Sequence, residues 1–341
     1  RSSISPETLK ALTRATISDT LVLKDNLLTI LQSGDAKKLL EFLEKEQISV
    51  YNTISVPLAR EDPTQTETKA ETESTISLLG LACAVGCVPI VQLVLGLNDD
   101  INLISTKSAH GWSPFMYACQ GGHDAVVALL IKTLFERSTE QHFTDTVNAT
   151  AKCGATAFFL AAQNGHAKVV TTLQQLPGNV TVDINIGPMT DDTQDSSVTP
   201  LLVAAQNGHT EVVDALLRSE HVEVNHGRFT DGATPIYLAT LGNHGNVVKR
   251  LLEEAADADI CTRFGDGPLL AAVLTGSSSE TETFLTAGAR LQAASNVVWD
   301  LTELMLATIA VDLEKVELLL AQNATSSYAR SWLGHTWEEI S

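Results

Sequence analysis

The phrase TPLLVAAQNGHTEVVDALL begins at Thr199, and TAFFLAAQNGHAKVVTTL begins 43 residues earlier at Thr156. A catalytic motif normally occurs once, so a phrase written twice points to one small unit built repeatedly. In the second copy, Thr199 offers an N-cap hydroxyl, and Pro200 sits at the first helical position, where its missing N–H costs nothing. Leu201, Leu202, Ala204 and Ala205 give a short helix with a small-residue face, and Gly208 can take the left-handed conformation that ends it. From Glu211 a second helix follows, with Val212, Val213, Leu216 and Leu217 at helical spacing. Helices of two to three turns are too short to be stable alone in water, so each pair must be stacked on neighbours.

The position of Gly208 recurs at Gly34, Gly86, Gly122, Gly165, Asn243, Gly276 and Val311 when the flanking apolar residues are aligned. In chain order the intervals are 52, 36, 43, 43, 35, 33 and 35 residues. Asn243 tolerates the same backbone region as glycine. Val311 does not, which marks the last unit as an atypical terminal one. The intervals exceed a base period near 33 at three places, and these define inserts at 55–75, 136–150 and 186–198. The first contains the acidic, threonine-rich run REDPTQTETKAETEST and reads as a mobile loop. Units are expected near 25–50, 76–105, 110–135, 153–185, 196–225, 231–260, 264–292 and 299–322. A helical extension is expected over 1–24, and a cap over 323–341 in which Trp332 and Trp337 seal the last unit.

The residues that carry this register, Ser113-Pro114 with Gly122-His123, Thr156 with Gly165-His166, Thr199-Pro200 with Gly208-His209 and Thr234-Pro235 with Asn243-His244, resemble the ankyrin repeat. Weaker copies are LACAVGCVPIVQLVL, GPLLAAVLTGSSSETETFL and TELMLATIAVDLEKVELLL, and SGDAKKLLEFL resembles a capping unit. The resemblance covers roughly 25–322 and implies an all-α solenoid of stacked helix-turn-helix units with short hairpin loops. It departs from the family pattern where the histidine of T-P-L-H is replaced by Met116, Phe159, Leu202 and Tyr237.

Residues 76–97 run 22 positions without a charge, long enough to span a bilayer. Gly86 and Pro89 interrupt that run and it fits the repeat register, so it reads as a buried helical hairpin. The net charge of −19, from 41 acidic against 22 basic side chains, argues against grip on a phosphate backbone and favours a basic or neutral protein surface. Five cysteines without a CxxC pair fit a reducing intracellular compartment, the cytosol (of a host cell, for a secreted bacterial effector). The sequons at Asn148, Asn179 and Asn323 are read as chance occurrences. The chain opens at Arg1 with no signal-like apolar stretch in its first 25 residues, and reads as a piece of something longer.

No nucleophile elbow, phosphate-binding loop or metalloprotease motif is present in the sequence, and no cofactor is implied. Histidines 123, 166, 209 and 244 recur one per unit. Stacked helices lie about 8–10 Å apart, whereas zinc holds its ligands at about 2.0–2.3 Å, so these histidines are a repeat feature and not a metal site. Cys83 and Cys119 occupy the same position of successive units and read as small core residues.

The resemblance implies a non-catalytic, monomeric interaction module that binds a partner protein on a concave face, as scaffold, adaptor or secreted effector. The alternative is a targeting arm of a larger enzyme. Family contact positions lie in the hairpin and at the end of the first helix. Carried over, they give His110, Trp112 and Gln120, then Lys152, Gln163 and Asn164, then Asp195, Gln206 and Asn207. Asp231, Leu241, Arg263, Phe264, Asp266 and Trp299 complete the set. Trp112, Phe264 and Trp299 stand out because aromatic anchors dominate interface energetics. The two AAQNGH copies would set Gln163-Asn164 beside Gln206-Asn207 as a neutral hydrogen-bonding strip.

Overall fold

The computed structural model describes residues 21–45, 53–56, 74–97, 100–108, 110–188, 198–275, 278–290, 303–310 and 312–321. Residues 1–20 of the expected 1–24 extension, the expected cap over 323–341, residues 189–197 of the third insert, Gly276, Val311, Asp195 and Trp299 lie outside them. Contacts divide the chain into two compact units, Arg1–Asp183 and Ile184–Ser341. Each is all-α in its packing, built of helix pairs in two layers, first helices on first helices and second on second.

In the N-terminal unit the first helices are Leu21–Ser33, Leu78–Val85, Pro114–Gln120 and Ala157–Gln163. Their second helices are Ala36–Lys45, Val88–Leu97, Asp124–Arg137 and Ala167–Gln174. In the C-terminal unit the pairs are Pro200–Gln206 with Thr210–Leu217, Pro235–Leu241 with Gly245–Glu253, Pro268–Thr275 with Ser278–Thr286, and Glu303–Ile309 with Leu313–Ala321.

The expected caps form. The hydroxyls of Ser113, Thr156, Thr199 and Thr234 accept the backbone N–H three residues on, and all four residues are buried, where an unmet donor would be costly. At Ser113 the thioether of Met116 returns the favour by accepting the Ser113 N–H at 3.5 Å. Four residues before the register position stands alanine in every unit after the first: Ala82, Ala118, Ala161, Ala204, Ala239, Ala272 and Ala307, each fully buried. Without side chains beyond Cβ there, the first helices of neighbouring pairs can approach closely. Cys83 and Cys119 follow two of these alanines, and burial pushes both thiols well above their ordinary range.

The turn itself is left-handed at every described register position. Gly34, Gly86, Gly122, Gly165 and Gly208 have φ between 69° and 79°, and Asn243 has φ 57°. The residue after each of Gly86, Gly122, Gly165, Gly208 and Asn243 donates its N–H to the carbonyl of the buried alanine, as Cys87 to Ala82 (3.2 Å) and His123 to Ala118 (3.1 Å). The histidine ring then reaches back to the preceding pair. His123 Nε2 donates to the Ala84 carbonyl (2.9 Å), His166 Nε2 to Gln120 (2.8 Å), and His244 Nε2 to Gln206 (3.1 Å). A carbonyl only accepts, so the proton sits on Nε2. The ring lies flat against the preceding glycine: a Cβ on Gly86, Gly122 or Gly208 would overlap Nδ1 of the next histidine.

Asparagines make a second set of ties between pairs. Asn148 donates to the Thr181 carbonyl (2.9 Å) and accepts from Asp183 N–H (3.2 Å). Asn185 does the same with His221 and Glu223, and Asn225 accepts from Asp257 N–H at 2.9 Å.

The charge-free run 76–97 is a helical hairpin, Leu78–Val85 and Val88–Leu97, with Leu79, Ile90 and Val94 in the core. The described parts of two inserts have regular structure. Strands Thr53–Val56 and Ser74–Ser77 pair antiparallel at the ends of the first, with Ile54 opposite Ile76; the β-branched Thr53, Ile54, Val56, Thr75 and Ile76 suit a strand. In the second, residues 136–137 finish the preceding helix and Glu140–Val147 forms a helix of its own, capped by Thr139. Phe143, Thr146 and Val147 bury one face of it, a helical spacing that a length-based reading of the insert passes over.

In the last pairs the pattern degrades. Val247 is buried against the core, but the matching positions one and two pairs later are Glu280 and Lys315, 7% exposed each. Burial raises the Glu280 carboxyl above its ordinary range, opposed by electrostatic attraction from His244 and Lys315. The Lys315 ammonium is held by the Val273 carbonyl (3.0 Å) and Asp312 (3.2 Å).

Two measurements check this account. Gly122→Ala should cost about 2–3 kcal/mol in urea unfolding, from a left-handed alanine and a displaced His166 bond. In a His166→Ala background it should cost only the backbone part, about 1–2 kcal/mol. Equal costs in both backgrounds would mean that the ring does not lock the pairs. Ala255 sits at φ 59° where the next pair places Gly288 at 86°. Ala255→Gly should therefore raise stability by about 0.5–1 kcal/mol, the relieved strain less the added chain entropy.

Candidate partner-binding surface

Before each of four first helices the chain makes a short finger. Ser108 N–H donates to Trp112, Ala151 to Ala155, Arg228 to Ala233 and Thr262 to Asp266, all at 2.8–2.9 Å. A left-handed glycine closes each tip: Gly111, Gly154, Gly232 and Gly265. Successive fingers join edge to edge within each unit, Lys152 N–H donating to His110 (3.0 Å) and Arg263 N–H to Asp231 (2.7 Å). A Cβ on Gly111 would lie 2.8 Å from the Lys152 nitrogen, so the fingers can meet only where no side chain intervenes.

The N-terminal unit places His110 and Lys152 exposed on its fingers. Trp112 is half-buried and packs its ring on Tyr117, centroids 5.3 Å apart and tilted by 44°. Gln120 is half-buried, with its carbonyl taken by His166. Gln163 and Asn164 are exposed at the end of their helix, the Asn164 amide donating back to Leu160 at 2.8 Å.

In the C-terminal unit Gln206 and Asn207 are exposed. Leu241 is 44% exposed and Phe264 53%. Arg263 is also exposed, and its guanidinium lies 4.8 Å from the centre of the Phe229 ring. Asp231 is engaged within its own finger: Arg228 grips both its oxygens, and Ala233 N–H donates to one at 3.1 Å. The Arg228 bond, with help from that N–H, holds the Asp231 carboxyl below its ordinary range. Asp266 is 9% exposed and its charge is felt by Tyr237, whose phenol is raised mainly by burial. Asp266 thus offers little surface to a partner.

Two residues were passed over in the sequence. Phe229, 42% exposed, belongs to a finger one residue longer than the others, with Gly232 N–H closing on Arg228 four residues back instead of three. A count at fixed offset from Thr234-Pro235 stops at Asp231 and misses the aromatic. Leu274, 48% exposed, stands at the same position of its helix as Leu241. The signal was in the register, two residues before Gly276 as Leu241 is two before Asn243. Among the described residues no group of three or more His, Cys, Asp or Glu side chains is placed to hold a metal ion, and no helix is long and apolar enough to cross a membrane.

Capped helix pairs locked turn to turn, with adjoining fingers joined within each unit, define a tandem helical repeat protein. A family model for ankyrin repeats in three copies matches residues 79–186 and 176–263, more than half the chain. The chain belongs to the ankyrin repeat family, whose repeats are protein–protein interaction modules. Among solved structures it is similar to the ankyrin repeat domain of human ASB11, with 24% identity and a TM-score of 0.56 over 72% of this chain and 98% of that one. It is likewise similar to the ankyrin repeat domain of Bcl-3, a member of the IkappaB protein family, with 20% identity and a TM-score of 0.57 over the same shares. At these identities the likeness establishes the fold. No curated protein matches the sequence.

The Arg228–Asp231 pair sets a pH dependence. An aspartate lowered in the folded state adds stability above its unfolded value of about 3.9, and loses it as pH falls through the lower folded value. Carboxyl NMR titration should place Asp231 below 3.9, and Arg228→Ala should move it up. An Asp231 that titrates at about 3.9 in both proteins would exclude the pairing.

Proposed function

We propose that this chain is a non-catalytic module that grips a partner protein, as scaffold, adaptor or secreted effector, through its fingers and the ends of its first helices. The observation that carries this is the C-terminal unit's exposed Phe229, Arg263 and Phe264 on adjoining fingers, with Leu241 and Leu274 exposed on adjoining first helices. Exposed apolar groups grouped on rigid elements mark interaction sites, whereas single ones do not. The aromatics can anchor a partner at about 2 kcal/mol or more each, because their fingers are already held by backbone bonds and lose little freedom on docking. In the N-terminal unit Trp112, Lys152 and Gln163 are the corresponding contacts, and the net charge of −19 favours a partner with a basic or neutral surface.

Affinity capture from cell lysate, read by mass spectrometry, tests the assignment. The Phe229→Ser/Phe264→Ser protein should lose its specific partners by about tenfold or more while keeping the wild-type thermal transition. Trp112→Ala gives the matching test of the N-terminal fingers. Retention of every partner by both folded variants would remove this surface.

A further inference from the structure

The inserted helix Glu140–Val147 does more than lengthen a repeat. With the end of helix Asp124–Arg137 and the loop 176–180 it lines a half-open pocket of about 160 Å³, whose walls include the polar Ser138 and Thr139. Its apolar lining comes from Phe135, Phe143, Pro177 and Val180. Phe143 and Val180 are buried in the unit, but Phe135 is 54% exposed, with Gly178 close to its ring edge; a Cβ there would lie 3.6 Å away. No lining residue belongs to a finger or to the end of a first helix. The site is thus separate from the surface proposed above and does not rest on that reading.

Size and charge restrict the occupant. An engineered apolar cavity of about 150 Å³ takes one benzene molecule, so this pocket has room for a single aromatic ring or branched aliphatic group. On its rim stands Glu140, exposed and without an ion-pair partner among the described residues, whereas nearby Glu136 is paired with Lys132 at 3.8 Å. Glu140 lies in the first turn of its helix, where the dipole favours a negatively charged side chain. The exposed amide of Asn179 supplies a neutral donor and acceptor on the opposite loop.

We propose that this pocket is a second docking site, which receives one large apolar side chain (Leu, Met or Phe) of a protein segment that carries a Lys or Arg beside it. The apolar group fills the space over Phe143 and Phe135, and the cation meets Glu140.

The test uses the full chain and a random peptide display library as probe. Selected peptides are re-measured by fluorescence polarisation against wild type, Phe135→Ala, Glu140→Lys and the Phe229→Ser/Phe264→Ser protein. A set of peptides with one large apolar residue within a few positions of Lys or Arg is expected. These should weaken about tenfold or more on Phe135→Ala and on Glu140→Lys, and be unaffected by the finger variant. Changing the peptide's Lys or Arg to Glu should restore binding to Glu140→Lys, which a merely misfolded variant could not show. If no such set is selected, or its members bind both pocket variants as wild type, the pocket is only a crease left by the insertion. Peptides lost on the finger variant alone would sustain the proposed function and overturn this site.

Discussion

One residue per repeat must turn the chain left-handed, and that requirement organises everything around it. Because glycine has no Cβ, the turn leaves open a flat backbone face, and the next repeat's histidine ring occupies it. The same histidine uses its backbone N–H to close its own turn on a buried alanine carbonyl, and its ring to satisfy a carbonyl at the end of the previous first helix. Helix ends leave carbonyls unmet, and here the neighbour supplies the donor. A local torsion choice is thereby converted into a contact between repeats, and stability accrues between nearest neighbours.

This arrangement explains why the chain accepts long insertions. The ties between pairs sit at the turn, at the alanine face and at the asparagines of the loops, so sequence can be added elsewhere without breaking a rung. Lengthening a loop costs little entropy, since the penalty rises only with the logarithm of its length. The segment around Glu140–Val147 shows the limit: Asn148, immediately after it, still reaches Thr181 and Asp183. An insertion that kept this tie was free to become a helix and to bury Phe143.

Much of the scaffold was legible in the sequence because its causes are local. The Thr-Pro caps, the left-handed turns down to Asn243, and the apolar spacing of the second helices each follow from a few adjacent residues. The ordered parts of the inserts were less legible, since the four-residue segments 53–56 and 74–77 become strands only by pairing across a long gap. On the candidate surface, offsets from Thr-Pro located Phe264 and Leu241 but not Phe229, because one extra residue in a finger shifts every side chain on it. The engagement of Asp231 by Arg228, and the burial of Asp266, depend on side-chain geometry that composition does not encode.

The C-terminal pairs show where the repeat pattern stops being dictated by packing alone. Replacing a valine rung by Glu280 and then Lys315 puts opposite charges into successive copies of one buried position. Such charges contribute less to stability than apolar residues of similar size, since their desolvation offsets their attraction. The Lys315 ammonium has to be met by the Val273 carbonyl and Asp312, and burial pushes the Glu280 carboxyl toward its neutral form. The rungs at Val126, Val169, Val212 and Val247 need no such partners, so the last pairs depend on polar contacts where the earlier ones depend on packing alone.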